Sequence, residues 1–292
     1  MISIQAQPDT ISRIKELLGN LRYLNLLPEG SQFAIDRIKA VNPLSIIPMV
    51  SVINRKKLQC IDQKINESLL KVIQFPAQKD ILENSELKRS QVPIIHFHFN
   101  GKYKQEISKK LNLLHMIFLN LLRINIITDK RFIELITDNT FGFVLGEMID
   151  NIDEHSNAQN IYLFAQYDAE GDYCEVCLSD DGVGLLGSLK DAGREVLDSN
   201  DAMRKILGSG LSAKTEHGDI KRGTGIRYTR LAITNKEING EFLIMSGDSV
   251  FLHTAADGEI FINFKDYFWQ GTIVMIKLYK PVSKFNLYRY VR

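Results

Sequence analysis

Apolar residues recur at helical spacing through Ile11, Ile14, Leu17, Leu18 and Leu21, and Pro28-Glu29-Gly30 ends the run, so the pattern predicts a helix over Ile11–Leu27. Leu44–Ile53 (LSIIPMVSVI) and Val92–Phe99 (VPIIHFHF) are short, β-branched and aromatic, which reads as strand, with a helix over Gln63–Ile73 between them. Lys104–Ile124 carries a long amphipathic helical pattern, and a second helix runs from Asp129 toward His155. The rhythm then changes. Ile161–Tyr167 and Tyr173–Ser179 are apolar runs separated by Asp168-Ala169-Glu170-Gly171-Asp172, the pattern of a hairpin. Leu185–Arg222 is polar and glycine-bearing, with helical patterning only at Ala202–Leu207. A helix over Ile226–Lys236 and strands at Glu241–Ser246, Val250–Thr254, Glu259–Phe264 and Thr272–Tyr279 complete an α+β arrangement.

A chain of 292 residues and 33.3 kDa accommodates two domains. An apolar fraction of 45% with 24% charged residues excludes a disordered or fibrous chain. Lys and Arg number 36 against 35 Asp and Glu, a net charge of +1, so no global field points to nucleic acid or to an anionic membrane. The apolar run Leu113–Leu122 contains His115 and Asn120 and falls short of the roughly twenty residues of a membrane span. Three cysteines are too few for a disulfide framework, and MISIQAQPDT lacks the pattern of a signal peptide, so a cytoplasmic protein is expected. Glycine sharpens the picture. Of 19 glycines only Gly19, Gly30 and Gly101 precede residue 142, so close backbone approach is concentrated in the second half, where function is expected.

Three constellations there bear chemistry. On the helix at residues 146–155, Glu147, Asn151 and Glu154 share a face, and an amide beside a carboxylate can offer an oxygen to Mg²⁺ while the carboxylate orients a water. Ser179-Asp180-Asp181-Gly182-Val183-Gly184 follows an apolar strand, where a carboxylate can accept the exocyclic amine of adenine and glycines let the backbone turn beneath a base. Lys221-Arg222-Gly223-Thr224-Gly225-Ile226 precedes a helix, and amides at a helix start cradle phosphate. Taken singly, each has a plainer reading: a solvated face, an acidic turn and a helix start.

Their order is more specific. E-x-x-x-N on a helix, D-x-G-x-G after a strand and G-T-G at a helix start resemble the GHKL superfamily of gyrase, heat-shock chaperone, histidine kinase and MutL-type ATPases, over roughly residues 127–280. The resemblance implies a Bergerat-type α/β sandwich at 126–292, a mixed sheet covered by helices, preceded by a smaller α/β domain of unassigned function at 1–125. It implies ATP and Mg²⁺ as ligands. Asn151 would hold the metal, Glu147 would polarise the attacking water, and Asp180 would take the adenine amine, with Gly182 and Gly184 shaping the base pocket. Gly223, Thr224 and Gly225 would meet the phosphates, Lys214 of Ser212-Ala213-Lys214 would approach the terminal phosphate, and Thr272 would lie near the base. Residues 185–222 would form a mobile lid. Ile226-Arg227-Tyr228 departs from the apolar-glycine-apolar continuation found after the third box in histidine kinases.

The branch follows from what is missing. His115 has no acid beside it and no nearby proline, unlike a phosphoacceptor histidine. The expected activity is a slow Mg²⁺-dependent ATPase whose lid closure signals to a protein partner or a second subunit. A serine/threonine kinase resembling anti-sigma regulators and a nucleotide-gated interaction module are the alternatives. Cys174 and Cys177 should face opposite sides of a strand, which disfavours metal binding, and His96 and His98 should share a face without a third ligand.

Overall fold

Asn42 and Pro43 decide the first departure from the sequence pattern. In the computed structural model, which describes residues 9–34, 42–62, 72–75, 91–98, 146–149, 151–152, 156–168, 170–209, 211 and 225–279, the segment expected as a strand at Leu44–Ile53 is a helix, Pro43–Arg55. The Asn42 side chain accepts the N–H of Ser45 at 2.9 Å, and Pro43 occupies the first turn, where its missing N–H costs nothing. Every residue from Pro43 to Ile53 is buried, which explains why the run lacks polar alternation. This helix is α2. α1 spans Thr10–Leu26, and Arg13 on it donates to Asn42 Oδ1 at 2.7 Å. The short parallel strands β1 (Gln32–Phe33) and β2 (Gln59–Cys60) complete the described part of this unit.

The chain divides into compact units at Met1–Lys71 and Val72–Arg292, whereas the sequence reading put the boundary at 125. The shift comes from two strands, β3 (Val72–Phe75) and β4 (Gln91–His98), which belong to the large sheet of the second unit. The strand at β3 also ends the helix expected over Gln63–Ile73, whose earlier residues lie outside the described ones, as does Lys104–Ile124.

The second unit is α+β. The sheet adds β5 (Asn160–Asp168), β6 (Tyr173–Asp180), β7 (Glu241–Gly247), β8 (Ser249–Thr254), β9 (Gly258–Asn263) and β10 (Trp269–Tyr279), in the order β3-β4-β5-β6-β10-β7-β8-β9. β3 and β4 are parallel, and every other pair is antiparallel. On one face Leu163, Val176, Leu178, Val274, Ile276 and Ile244 meet Met148, Ile149 and Ile152 of the helical residues 146–149 and 151–152, together with α3 (Gly184–Asp191), α4 (Ser199–Arg204) and a π-turn at Lys205–Ser209. α5 (Gly225–Ile233) adds Ile233 to the same core. The opposite face is buried as well, at Phe164, Cys177, Leu243, Met245, Ile273 and Met275, which is why these strands read as continuous apolar runs.

The segment expected as an unpacked lid is largely helical up to residue 209. Leu189, Ala202, Met203 and Leu207 are essentially inaccessible, and Asp198 caps α4 by accepting the N–H of Asp201 at 2.8 Å. Residues 212–224 lie outside the described ones.

Candidate functional site

Pairing places the second constellation at one end of the helix-covered face. Ile161 is opposite Asp180, Thr272 is opposite Ser246, and Asp180 and Thr272 stand one step beyond the Ser179–Ile273 pair. Asp180 is thus aimed from the last position of β6 into a cleft of about 730 Å³, part of it open solvent. Asn151 from the helical residues 151–152, Gly184 and Ser188 of α3, Ile226 of α5 and Thr272 of β10 line the same cleft. Its walls are mainly apolar, built from Met148, Ile152, Leu178, Leu189, Ile244 and Val274. The lining, apolar walls with a few convergent polar groups, is that of a ligand-binding cleft.

The two adjacent aspartates divide their work. Asp181 Oδ1 accepts the N–H groups of Gln159 and Asn160 at 2.8 Å each, and its Oδ2 accepts the Asn160 amide at 2.6 Å, which fixes the start of β5. Asn160 Oδ1 in turn meets His96 Nε2 at 2.8 Å and His98 Nδ1 at 2.9 Å, so the shared face of the two histidines serves a hydrogen-bond network. Burial lowers the His96 pKa. Asp180, 2% exposed, accepts the Gly182 N–H at 2.8 Å and faces the cleft. Burial pushes its carboxyl up to about 7; hydrogen bonds from the Gly182 and Thr272 backbone pull it down, and Asp181 pushes it further up.

The glycines are explained by what lies against them. A Cβ on Gly182 would strike the Ser156 carbonyl, which accepts the Val183 N–H at 2.7 Å. Gly184 has φ +69°, and a Cβ there would lie 2.7 Å from Ser246 Oγ. Gly271, φ +95° at the irregularity between Trp269 and Thr272, presses on the Asp180 carbonyl. Ser246 ties these pieces together by accepting the Leu185 N–H and donating to the Gly271 carbonyl, both at 2.9 Å. No motif marked Ser246. Only its register opposite Thr272 reveals it.

The first and third constellations also meet. A Cβ on Gly225, the first residue of α5, would collide with Glu147 Oε2. Asn151, Asp180, Gly184 and Thr272 therefore share one cleft, Gly182 supports it through its backbone, and Glu147 and Gly225 touch each other. Lys214, Gly223 and Thr224 lie outside the described residues. Among the described residues no group of three or more His, Cys, Asp or Glu is arranged to hold a metal ion. Asn151 and Glu147 are hard oxygen donors of the kind Mg²⁺ accepts when phosphates complete its shell. Cys174 and Cys177 form no disulfide and are buried on opposite faces of β6, and burial pushes the Cys174 thiol up to about 12. Among the described residues no helix is long and apolar enough to cross a membrane. No protein-family model matches the chain, and no curated protein matches it either.

Proposed function

We propose that the second unit is a Mg²⁺-dependent ATP-binding domain of the GHKL type, with a Bergerat-type sandwich, and that it acts as a slow ATPase signalling to a protein partner or second subunit. The observation that carries this reading is the buried carboxylate of Asp180, aimed into an apolar cleft that Asn151 and Thr272 also line. An ionised carboxylate there is an acceptor awaiting a donor, which the amine of an adenine supplies, while Leu178, Ile244 and Val274 flank the ring. Asn151 gives its carbonyl oxygen to the metal, Gly225 brings the α5 amides toward phosphate, and Glu147 takes a proton from the attacking water at its carboxylate. Bound ATP with Mg²⁺ supplies the phosphoanhydride and the charge neutralisation.

Incubation with γ-labelled ATP and Mg²⁺ tests the assignment. Slow release of free phosphate is expected, and Glu147→Gln should lower it by roughly a hundred- to ten-thousandfold while ATP stays bound. Undiminished turnover in Glu147→Gln removes it as the base. Label retained on a protein would replace hydrolysis with phosphoryl transfer, and failure to bind ATP would overturn the reading.

A further inference from the structure

The end strand of a sheet carries unpaired backbone N–H and C=O groups, and proteins usually blunt such an edge with lysine, proline, a bulge or a very short strand. Among the described residues β9 ends the eight-stranded sheet without these devices. Its sequence, GEIFIN, holds neither Lys nor Pro, and all six residues pair with β8 without a shift of register. β3, at the other end of the sheet, spans four. Register decides which groups of β9 face outward. The Phe264 N–H donates to the Asp248 carbonyl at 2.9 Å, one step beyond the Asn263–Ser249 pair. Backbone groups alternate in direction along an antiparallel strand, so the even-numbered residues of β9 face β8, and Glu259, Phe261 and Asn263 turn theirs outward. Glu259 and Asn263 are exposed, and Ile260, Phe261 and Ile262 are half-buried. The one charge on the strand, Glu259, is paired with Arg230.

We propose that the outer edge of β9 pairs with β9 of a second copy of this chain, antiparallel about a two-fold axis at Phe261. The signalling role of that copy rests on the function proposed above; its docking does not. The strand is complementary to itself in this register. Phe261 falls opposite Phe261, Glu259 opposite Asn263 in both directions, and Ile260 opposite Ile262. The outward-facing residues thus form the hydrogen-bonded pairs, each exchanging both backbone bonds. No like charges meet, because each Glu259 carboxylate comes beside an Asn263 amide. Ile260 and Ile262, which share a face with Leu252 and Val250, gain cross-strand apolar neighbours. On the other face the Arg204 guanidinium lies 3.8 Å from the centre of the Phe261 ring, one diagonal step from Glu259 of the second copy. Six residues a side make a small interface, so the dimer is reversible, dissociating in roughly the micromolar range.

Sedimentation velocity of the intact protein without nucleotide, over about 1 to 100 μM, tests this. The wild type should pass from monomer to dimer across the series. Asn263→Pro removes an outward N–H that β8 does not use, at an edge position where proline is tolerated, so it should stay folded and monomeric throughout. Cysteine pairs read the register directly, because Cys60, Cys174 and Cys177 are all buried. A mixture of Glu259→Cys and Asn263→Cys chains should cross-link on mild oxidation, and neither variant should cross-link alone, since position 259 faces 263 and not itself. A wild type that is monomeric at every concentration overturns the inference, as does a dimer that survives in folded Asn263→Pro. A mixture that fails to cross-link overturns it too, and decides alone if Asn263→Pro does not fold. ATP titration of the wild type reads the nucleotide assignment separately, so either can fail while the other stands.

Discussion

Two polar rows cross the same central strands and treat buried charge in opposite ways. At the cleft end, on the helix-covered face, Asp180 meets N–H groups, and the charged neighbour acting on it is another carboxylate, Asp181. Toward the other end, on the opposite face, Glu175, Lys277 and Glu241 follow one another across β6, β10 and β7. There Lys277 Nζ lies 3.5 Å from Glu241 Oε1 and 4.0 Å from the centre of the Tyr173 ring, and the Tyr279 hydroxyl donates to Glu241 at 2.6 Å. Charge that is matched inside the protein is architecture. On the function proposed above, a buried carboxylate turned toward an open cleft is a place kept for a ligand.

The largest expected effect breaks the matched row. Lys277→Ala removes the ammonium beside Glu241 and should lower unfolding stability by about 3 kcal/mol in denaturant titrations, without changing nucleotide affinity where the variant stays folded. A parallel fall in affinity would show that the rows are coupled. Asp180→Asn should do the reverse, costing about 1.5–3 kcal/mol of binding, or ten- to a hundredfold by calorimetry, in a folded domain. Unchanged affinity would end the distinction.

The smallest effect sharpens the comparison through pH. Because the Asp180 carboxyl rises from 3.8 to about 7 in the folded chain, between these values the folded state holds a proton that the unfolded state has lost, and this residue's contribution to stability falls as pH rises. Accepting an amine requires the ionised form. Adenosine affinity should therefore be full above about pH 7 and drop about tenfold per unit below it, and Asp180→Asn should flatten the profile. A flat wild-type profile would mean that Asp180 does not receive the amine.

What the sequence revealed was local. D-x-G-x-G after β6 marked Asp180 because strand end, carboxylate and glycines lie within five residues of one another. Four strands near the C-terminal end of the sheet were legible because apolar runs alternate with turn residues. α2 was not, since Ile46, Ile47, Val50 and Val52 favour strand by type while the decisive signal is the Asn42 cap and burial on all sides. α3 was missed because it spans only eight residues, too short for Leu185 and Leu189 to show a period against the intervening glycine and polar residues, whereas the patterning at Ala202–Leu207 did mark α4 and the π-turn that follows it. The pairing of β4 with β5 was not legible either, because it spans a long separation that no local pattern carries. The contact of Glu147 with Gly225 is equally non-local.

The position of β10 bears on how the domain is made. Among the described strands it is the last in chain order, yet it lies between β6 and β7 and joins β3-β4-β5-β6 to β7-β8-β9. During synthesis the two partial sheets must wait, each with an open edge, until Trp269–Tyr279 leaves the ribosome and slots between them, a late closure dominated by distant contacts. The same strand delivers Thr272 to the cleft and sets Gly271 against Asp180, so a nascent chain halted before it has neither a continuous sheet nor a finished site.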